Sequence, residues 1–467
     1  MQNTEQENKE LVKRIAKLAN TKKQLLSKIK EYEDKIEDLT LKNEHQKQII
    51  KTHSLPTHED VYEEPLTKVK TQKINVATIL YAGIHGSTLL ADNVDTQGMM
   101  DDLDKVFIGF ESILEKYKIY KTKSIGDTFV GVGGVWEQNT TNPIEVVLAA
   151  LEMKNLLFEN MNQLPQKAWD IRFGIHTGSV SVSISGNKRK HYDVKGDTLN
   201  IASRMEGWSD SGKINISAMT YELVKEFFNC EYYGKMPVRY KGNLQMYNVK
   251  GILNELSANG KGIIPNENFW VKYALIRFSD LQEFILDKLE KELPEHLYYH
   301  NVKHTVDVTT QVELIGWGEG ISDEEILLLK TAALFHDAGH IIDYSEHEYH
   351  GTVLAREYLP KYNYTQTQID HICELIMVTK LPPTPQNTLE NIMCDADLDY
   401  LGRSDMIPVS GMLYKELRKE NKIGSLNDWN KLQIKFISSH QYFTKTARNL
   451  REVNKQKQID RIKKLIV

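Results

Sequence analysis

Three short stretches in the C-terminal half of the chain carry the residue types that bind catalytic metal ions. They read YHNVKH at residues 299–304, FHDAGH at 335–340 and CDADLD at 394–399. Imidazole and carboxylate are the ligands that divalent cations take for hydrolytic work. One histidine after an apolar run is usually a packing residue. The order H…HD…D across three stretches instead predicts a metal site assembled from separate helices.

The candidate ligands divide into two sets. Four residues are the expected ligands of a first ion: His304, His336, Asp337 and Asp395. Asp337 is placed to bridge to a second ion. Three histidines are candidates for the ligands of that second ion or for contact with phosphate: His340, His347 and His350. His371 is a further candidate, although a helix-surface role is favoured for it, and Asp397 and Asp399 are expected to support the site or the fold.

The order His304, His336-Asp337, Asp395 resembles the HD-domain metal phosphohydrolase superfamily, and YHNVKH followed by AALFHDAGH is similar to its cyclic-nucleotide phosphodiesterases. The resemblance runs from about Leu281 to the C-terminus. It implies Mn, Mg, Fe or Zn as the metal, and it places His300 and His340 in the catalytic set. His300 matches the general acid that protonates the leaving 3′ oxygen. DADLDYLGR and IMVTKLPPTP look more like bacterial HD hydrolases, whose relatives also cleave nucleoside mono- and triphosphates.

Helices must position these residues. Helical periodicity from residue 269 to 467 predicts an all-α bundle with inward ligands. The predicted helices are 274–293, 300–315, 322–335, 350–359, 367–378, 412–420 and 428–436. Ser322 before Asp323-Glu324-Glu325 indicates a capping box at the start of the third helix.

The middle of the chain, residues 73–253, interleaves strand and helix patterns. Residues 74–81 and 171–185 are strand-like, and 119–135 is expected to form a hairpin around Gly126-Asp127. The helical stretches are 96–117, 143–161 and 198–208. This alternation predicts an α+β or α/β sandwich with one core.

The stretches ATILYAGIHGSTLLAD, KSIGDTF and HYDVKGDTLNIASRMEG together resemble the class III nucleotidyl cyclase catalytic domain. The resemblance implies a ferredoxin-like sandwich that works as a dimer. Lys123 and Asp193 match the pair that reads adenine. Asn200 and Arg204 match the residues that position ribose and stabilise transition-state charge on phosphate. Asp127 matches one of two metal-binding aspartates, which hold Mg or Mn.

The other metal-binding aspartate of that family is missing. The family reads A-D-I-x-G-S-T where this chain reads AGIHGST at residues 82–88, so Gly83 replaces the aspartate. Glycine offers only a backbone carbonyl, and Asp92 and Asp95 lie too far along the chain to replace it. Loss of a shared ligand costs about 10²- to 10⁴-fold in rate. The sequence favours a pocket that binds an adenine nucleotide, ATP or cAMP, with little turnover, whether Gly83 is natural decay or an engineered change.

The N-terminal residues 1–51 contain no Gly or Pro and carry a heptad pattern. Ile at a and Leu at d favour a parallel two-stranded coiled coil. The a positions are Ile15, Ile29, Ile36 and Ile50, and the d positions are Leu11, Leu18, Leu25 and Leu39. Two linkers are predicted, 52–72 and 254–268. The expected assembly is a homodimer through the coiled coil and the cyclase-like domain.

The composition of the 467 residues narrows the function classes. A net charge of −5 argues against a basic surface that binds nucleic acid. No apolar run approaches the length of a membrane span, and the start is not a signal peptide. Three cysteines without metal-ligand spacing suit a reducing compartment, so we expect a cytoplasmic protein.

Three functions remain open on the sequence. The first is a metal-dependent phosphohydrolase that cleaves a cyclic purine nucleotide under regulation by the cyclase-like domain. The second is a bifunctional or cyclase-type enzyme that makes cAMP from ATP, if Gly83 is an engineered or compensated change. The third is a nucleotide-binding signalling receptor with little catalysis.

Overall fold

The computed structural model describes residues 70–85, 96–122, 128–161, 170–185, 191–238 and 242–466. The predicted coiled coil, most of the first linker, Lys123 and Asp127 lie outside the described residues. Val69–Val467 form one compact unit. Within it, a mixed sheet-and-helix domain is followed by a helical region, as the sequence predicts.

An eight-stranded sheet organises the first of these domains. In chain order the strands are β1 (Lys70–His85), β2 (Tyr120–Lys121), β3 (Thr128–Gly133), β4 (Asp170–Ser185), β5 (His191–Lys195), β6 (Ile214–Ser217), β7 (Phe228–Val238) and β8 (Gly242–Ile252). Their order in the sheet is β2-β3-β1-β4-β6-β8-β7, and β5 also pairs with β4. The long strands β1 and β4 pair antiparallel from Lys70↔Ile184 to His85↔Asp170. Among the described strand pairs, β4 with β6 is parallel.

Two long helices, α1 (Thr96–Lys116) and α2 (Asn142–Met161), bury apolar side chains against one face of the sheet. The shorter helices are α3 (Asp197–Gly207) and α4 (Ala218–Val224). Gly174 on β4 permits the close approach of α3, because a Cβ there would lie 2.0 Å from the backbone nitrogen of Glu206. The opposite face of the sheet holds a second apolar cluster around Ile79, Tyr81 and Val180.

The helical region consists of α5 (Glu267–Glu292), α6 (Val302–Glu319), α7 (Asp323–Phe335), α8 (His347–Tyr358), α9 (Gln366–Met377), α10 (Thr388–Asp397), α11 (Met406–Lys419), α12 (Leu426–Ser439), α13 (Lys445–Ala447) and α14 (Val453–Lys463). A π-helical turn, Arg448–Glu452, separates the last two. Ser322 caps α7 in the predicted capping box with Glu325. The six helices α5 to α10 share one apolar core.

Helix α5 belongs to the cores of both domains. Near its start Phe269 packs against Phe227, with ring centroids 5.0 Å apart, inside the sheet domain. Further along, Phe278 and Leu281 are buried in the helical core. The expected second linker, 254–268, contains two 3-10 turns, and its Leu256 is buried in the same core as Phe269.

An ion pair between a buried arginine and a half-exposed glutamate connects this helix to the sheet domain. The Arg277 side chain is 6% exposed and pairs with Glu137 and, at 3.0 Å, with Asp280. Asp280 in turn accepts hydrogen bonds from the Thr140 backbone N–H at 3.1 and 3.2 Å. These contacts connect the middle of α5 to residues 137–140 of the sheet domain.

Candidate functional site

Four side chains converge where the ends of three helices meet. Nε2 of His304 lies 3.3 Å from Oδ2 of Asp337 and 3.2 Å from Oδ1 of Asp397. Nε2 of His336 lies 3.2 Å from the same Asp337 oxygen and 3.5 Å from the same Asp397 oxygen. The two Nε2 atoms are 3.4 Å apart. The structure therefore brings together three of the predicted ligands and adds Asp397.

Local hydrogen bonds hold His304 and His336 in position. Asn301 caps α6, and its side-chain oxygen accepts from the backbone N–H of His304, which fixes the first turn. The Nδ1 of His336 lies 2.8 Å from the carbonyl oxygen of Ala333. A carbonyl only accepts, so Nδ1 carries a proton and Nε2 is the nitrogen that faces the cluster.

Asp395 lies outside this cluster. Its carboxylate accepts hydrogen bonds from the Phe443 N–H at 2.9 Å and from the Thr444 N–H and hydroxyl at 2.7 Å each. Burial raises the pKa of this carboxyl, although these three donors oppose the shift. Asp395 thus binds the chain just before α13. Asp397, not Asp395, lies in the cluster. Asp399 is paired with Arg451 at 2.6 Å, a structural contact.

A second group of potential ligands shares Asp337. His300, Asp337 and His340 each place a ligand atom within 4.8 Å of one another. The His340 ring stacks on that of His347 with centroids 4.0 Å apart, and Nε2 of His347 lies 3.6 Å from Oδ1 of Asp337. Gly339 makes this possible, because a Cβ there would lie 1.9 Å from the His347 carbonyl oxygen.

Two predicted candidates are not brought to the cluster. The His350 ring packs on α8 against the exposed Tyr349, with centroids 5.4 Å apart. His371 on α9 interacts electrostatically with Glu325 at the start of α7. Neither residue belongs to a potential metal-binding group among the described residues.

Glu416 is a site residue that the sequence analysis missed. Its fully buried carboxylate pairs with Nδ1 of His300 and accepts from the backbone N–H groups of Tyr299 and His300 at 2.9 and 3.2 Å. The hydroxyl of Tyr344 also donates to it at 3.1 Å. Glu416 lies in KELRKE, where one acid among many charges gives no signal of burial.

The charges in the cluster favour a protonated His336 beside an ionised Asp337. Burial alone lowers the pKa of His336, but Asp337 and Asp397 outweigh burial and raise it well above its ordinary value. Burial alone raises the pKa of Asp337, but His336 and His300 outweigh burial and lower it. His340 behaves differently, since burial lowers its pKa to about 3 and keeps the ring neutral.

The residues present fit a metal ion. Among the described residues, both ring nitrogens of His340 are buried without a hydrogen-bond partner, and Oδ2 of Asp337 is buried against Nε2 of His304 and Nε2 of His336. Unsatisfied buried acceptors are costly in a native structure unless an ion or water satisfies them. Neutral imidazole and carboxylate are ligands of first-row transition metals. His304, His336, Asp337 and Asp397 could hold one ion, and His340 and His347 with Asp337 could hold another.

Four of the residues predicted to form the nucleotide pocket of the cyclase-like domain lie in the described part of the chain. Gly83 is buried in β1 opposite Thr128, the neighbour of Asp127, and opposite Arg172 of β4. Asn200 and Arg204 are both exposed on α3. Asp193 on β5 lies 2.7 Å from the Lys195 ammonium. The predicted pairing of Asp193 with Lys123 lies outside the described residues.

Comparison with known families identifies both domains. The family profile "Adenylate and Guanylate cyclase catalytic domain" matches residues 69–251, and the "HD domain" profile matches residues 301–399. The chain is 33% identical over 198 residues to the receptor-type guanylate cyclase gcy-8 of Caenorhabditis elegans, covering 41% of this chain and 17% of that protein. It is 28% identical over 193 residues to an adenylate cyclase of Mycobacterium bovis, covering 40% of this chain and 42% of that protein.

Among solved structures, the chain is similar to the adenylyl cyclase CyaB from P. aeruginosa, at 27% identity and a TM-score of 0.36. The match covers 39% of this chain and 96% of that chain. The chain spans less than half the length of the curated relatives described above. The described helices include none that is long and apolar enough to cross a membrane.

Proposed function

Because the chain joins a class III cyclase catalytic domain to an HD domain, we propose that it is a cyclic-nucleotide signalling enzyme whose HD domain hydrolyses the phosphodiester of a cyclic purine nucleotide. The observation that carries this proposal is the convergence of His304, His336, Asp337 and Asp397 on one point. We propose these four as the metal ligands, with Asp397 replacing Asp395. The cyclase-like domain would bind an adenine nucleotide and regulate the hydrolase.

A divalent ion in this cluster would supply Lewis-acid activation of phosphate and water. The protein's own groups account for the proton transfer. His300 holds Glu416 with Nδ1, so Nε2 is the nitrogen left to donate a proton to the leaving oxygen. Burial alone lowers the pKa of His300, but Asp337 and Glu416 outweigh burial and raise it, which favours the protonated form that a general acid needs.

Metal content measured beside turnover tests this proposal. The purified protein should convert cAMP or cGMP to the 5′-nucleotide in the presence of Mn²⁺. Asp337→Ala should lose both metal and turnover. His300→Ala should keep its metal but slow turnover by about 10²- to 10⁴-fold. His371→Ala, a histidine away from the cluster, is the matched control and should change neither quantity.

Two results would contradict the assignment. If Asp337→Ala retains its metal, the site is wrong. If His300→Ala keeps full activity towards every hydrolysed nucleotide, the phosphodiesterase assignment fails while the metal site stands.

Synthesis of cAMP is the second candidate function, favoured by Asn200 and Arg204 on the exposed face of α3. We propose that Gly83 keeps this activity low, so that the pocket binds ATP with little turnover. Gly83→Asp should raise cAMP production by about 10²- to 10⁴-fold, measured in the Asp337→Ala background to prevent hydrolysis. Robust synthesis by the unaltered protein would contradict this proposal. No gain from Gly83→Asp would indicate a purely regulatory domain.

A further inference from the structure

A groove of about 830 Å³ runs along α11 on the side that faces away from the metal cluster. Leu413 and Leu417 of this helix line the cavity beside the metal cluster, whereas Lys415 and Lys419 line the groove. Residues two apart on a helix point about 200° apart, so the groove and the metal cluster lie on opposite sides of α11. The groove is therefore a separate site from the one proposed for hydrolysis.

The charges that line the groove are all positive. They come from three exposed side chains within about one turn of α11, namely Lys415, Arg418 and Lys419, and no carboxylate lines the groove. Arg418 donates to the carbonyl oxygen of Gly424 at 2.9 Å, and in the described part of the chain none of the three is paired with a carboxylate. A concave site with one sign of charge attracts ions of the other sign, and the arginine fork fits two oxygens of a phosphate. The groove therefore favours an anion, and phosphate above others.

Apolar side chains lie next to these cations. Tyr298, in the loop before α6, is 38% exposed, and Met412 of α11 is 46% exposed. Both line the groove together with Leu297. Met412 and Lys415 are three residues apart on one helix and are therefore neighbours on its surface. The groove thus places an anion site beside a surface that can bury the face of an aromatic ring.

We propose that this groove binds a soluble organic phosphate that carries an aromatic group, such as a nucleotide. The phosphate contacts the three cations of α11, and the ring packs on Tyr298 and Met412. The volume is within the size range of pockets that hold small organic ligands. Three cations are fewer than the about four to eight of a basic cluster that binds anionic lipid, so a soluble ligand is favoured over a membrane surface. The inference is independent of the proposed hydrolase function.

Pyridoxal 5′-phosphate is the probe for this site, used on the metal-free full-length protein. It has one phosphate, an aromatic ring and an aldehyde, which condenses with a lysine ε-amine to an imine and releases water. Borohydride reduces the imine to a stable secondary amine, and peptide mass spectrometry then identifies each labelled lysine. Because each lysine is measured separately, a ligand bound in the cyclase-like domain does not obscure the result in the groove.

Lys415 or Lys419 should be labelled at least about tenfold faster than Lys435 and Lys463, two exposed lysines that do not line the groove. Tripolyphosphate and ATP should block this labelling, and pyridoxal, which has no phosphate, should show no such preference. Equal labelling of the four lysines, or labelling that tripolyphosphate does not block, overturns the inference. Protection by phosphatidylserine vesicles but not by ATP also overturns it, in favour of a lipid surface.

Two matched pairs of variants test the two parts of the groove. Arg418→Gln keeps both lysines but removes the fork, and it should slow their labelling by about tenfold, whereas Arg356→Gln, at an exposed arginine of α8, should not. Tyr298→Ala should weaken protection by ATP but not by tripolyphosphate, and Tyr349→Ala, at an exposed tyrosine of α8, should change neither. Equal effects within either pair overturn the inference. Equal loss of protection by ATP and tripolyphosphate in Tyr298→Ala overturns it as well, because the ring would then have no site.

Discussion

Exchanging Asp395 and Asp397 for asparagine, one at a time, separates a structural carboxylate from a proposed metal ligand. Both belong to CDADLD, both are acids near the end of α10, and both changes are nearly isosteric. Their surroundings differ completely. Asp395 faces backbone donors of residues 443–444, whereas Asp397 faces the ring nitrogens of His304 and His336.

The contacts of each residue set the expected magnitudes. Asp395 is 1% exposed and accepts three hydrogen bonds. An asparagine there keeps one acceptor oxygen and turns its NH₂ group towards at least one of these donors. A buried polar group left unsatisfied costs about 1–3 kcal/mol, so Asp395→Asn should lower the free energy of unfolding by about that amount. Asp397→Asn removes a proposed ligand, and we expect metal affinity to fall by more than about 100-fold, exceeding the usual effect of an outer-shell change.

Three measurements on both variants distinguish the structural role of Asp395 from the ligand role of Asp397. Denaturant unfolding of the metal-free proteins gives stability, elemental analysis gives bound metal, and cyclic-nucleotide hydrolysis gives turnover. Asp395→Asn should be less stable but should bind metal and remain active, whereas Asp397→Asn should lose metal and activity while folding. If the folded Asp395→Asn protein loses its metal and Asp397→Asn retains it, the reasoning from these contacts is refuted.

Three further predictions follow from other parts of the molecule. Gly339→Ala should abolish metal binding, because its Cβ would collide with the His347 backbone; Gly411→Ala, whose Cβ meets nothing within 4 Å, should leave metal content unchanged. Burial lowers the pKa of His440 to about 4. The unfolded chain therefore takes up that proton first as pH falls below about 6.5, so His440 should contribute a loss of about 2 kcal/mol of stability between pH 7.5 and 5, which His440→Gln should lack when the two proteins are compared by denaturant unfolding. Removing the first 55 residues should convert a dimer to a monomer in light scattering, and an unchanged dimer would show that the predicted coiled coil is dispensable.

Helices with strong periodicity were predictable from the sequence. The helix predicted at 96–117 is α1, and the one predicted at 322–335 is α7 with its capping box. Strand β7 was not predicted because two register irregularities interrupt the alternation that identifies a strand. CDADLD was expected on a helix of its own, but the bounds of α10 were not predicted, since the motif was interpreted for its carboxylates rather than for its helical phase.

The site was predictable in residue type but not in choice of acid. Residues two apart on a helix point about 200° apart, so Asp395 and Asp397 cannot face the same cluster. Deciding between them requires knowing which side of α10 meets α6, and that depends on packing. The role of Glu416 likewise depends on contacts with Tyr299 and His300, which are distant in the sequence.

The continuity of α5 constrains how these two domains can be recombined. Each residue added within the helix rotates everything after it by about 100° and advances it by about 1.5 Å. A single insertion between Phe269 and Arg277 would therefore turn the arginine away from Glu137 if Phe269 stayed in its core. Insertions of seven residues would nearly restore the angular phase but shift the helical domain by about 10 Å. A productive splice between a cyclase domain and an HD domain of this kind must therefore match helix length as well as sequence.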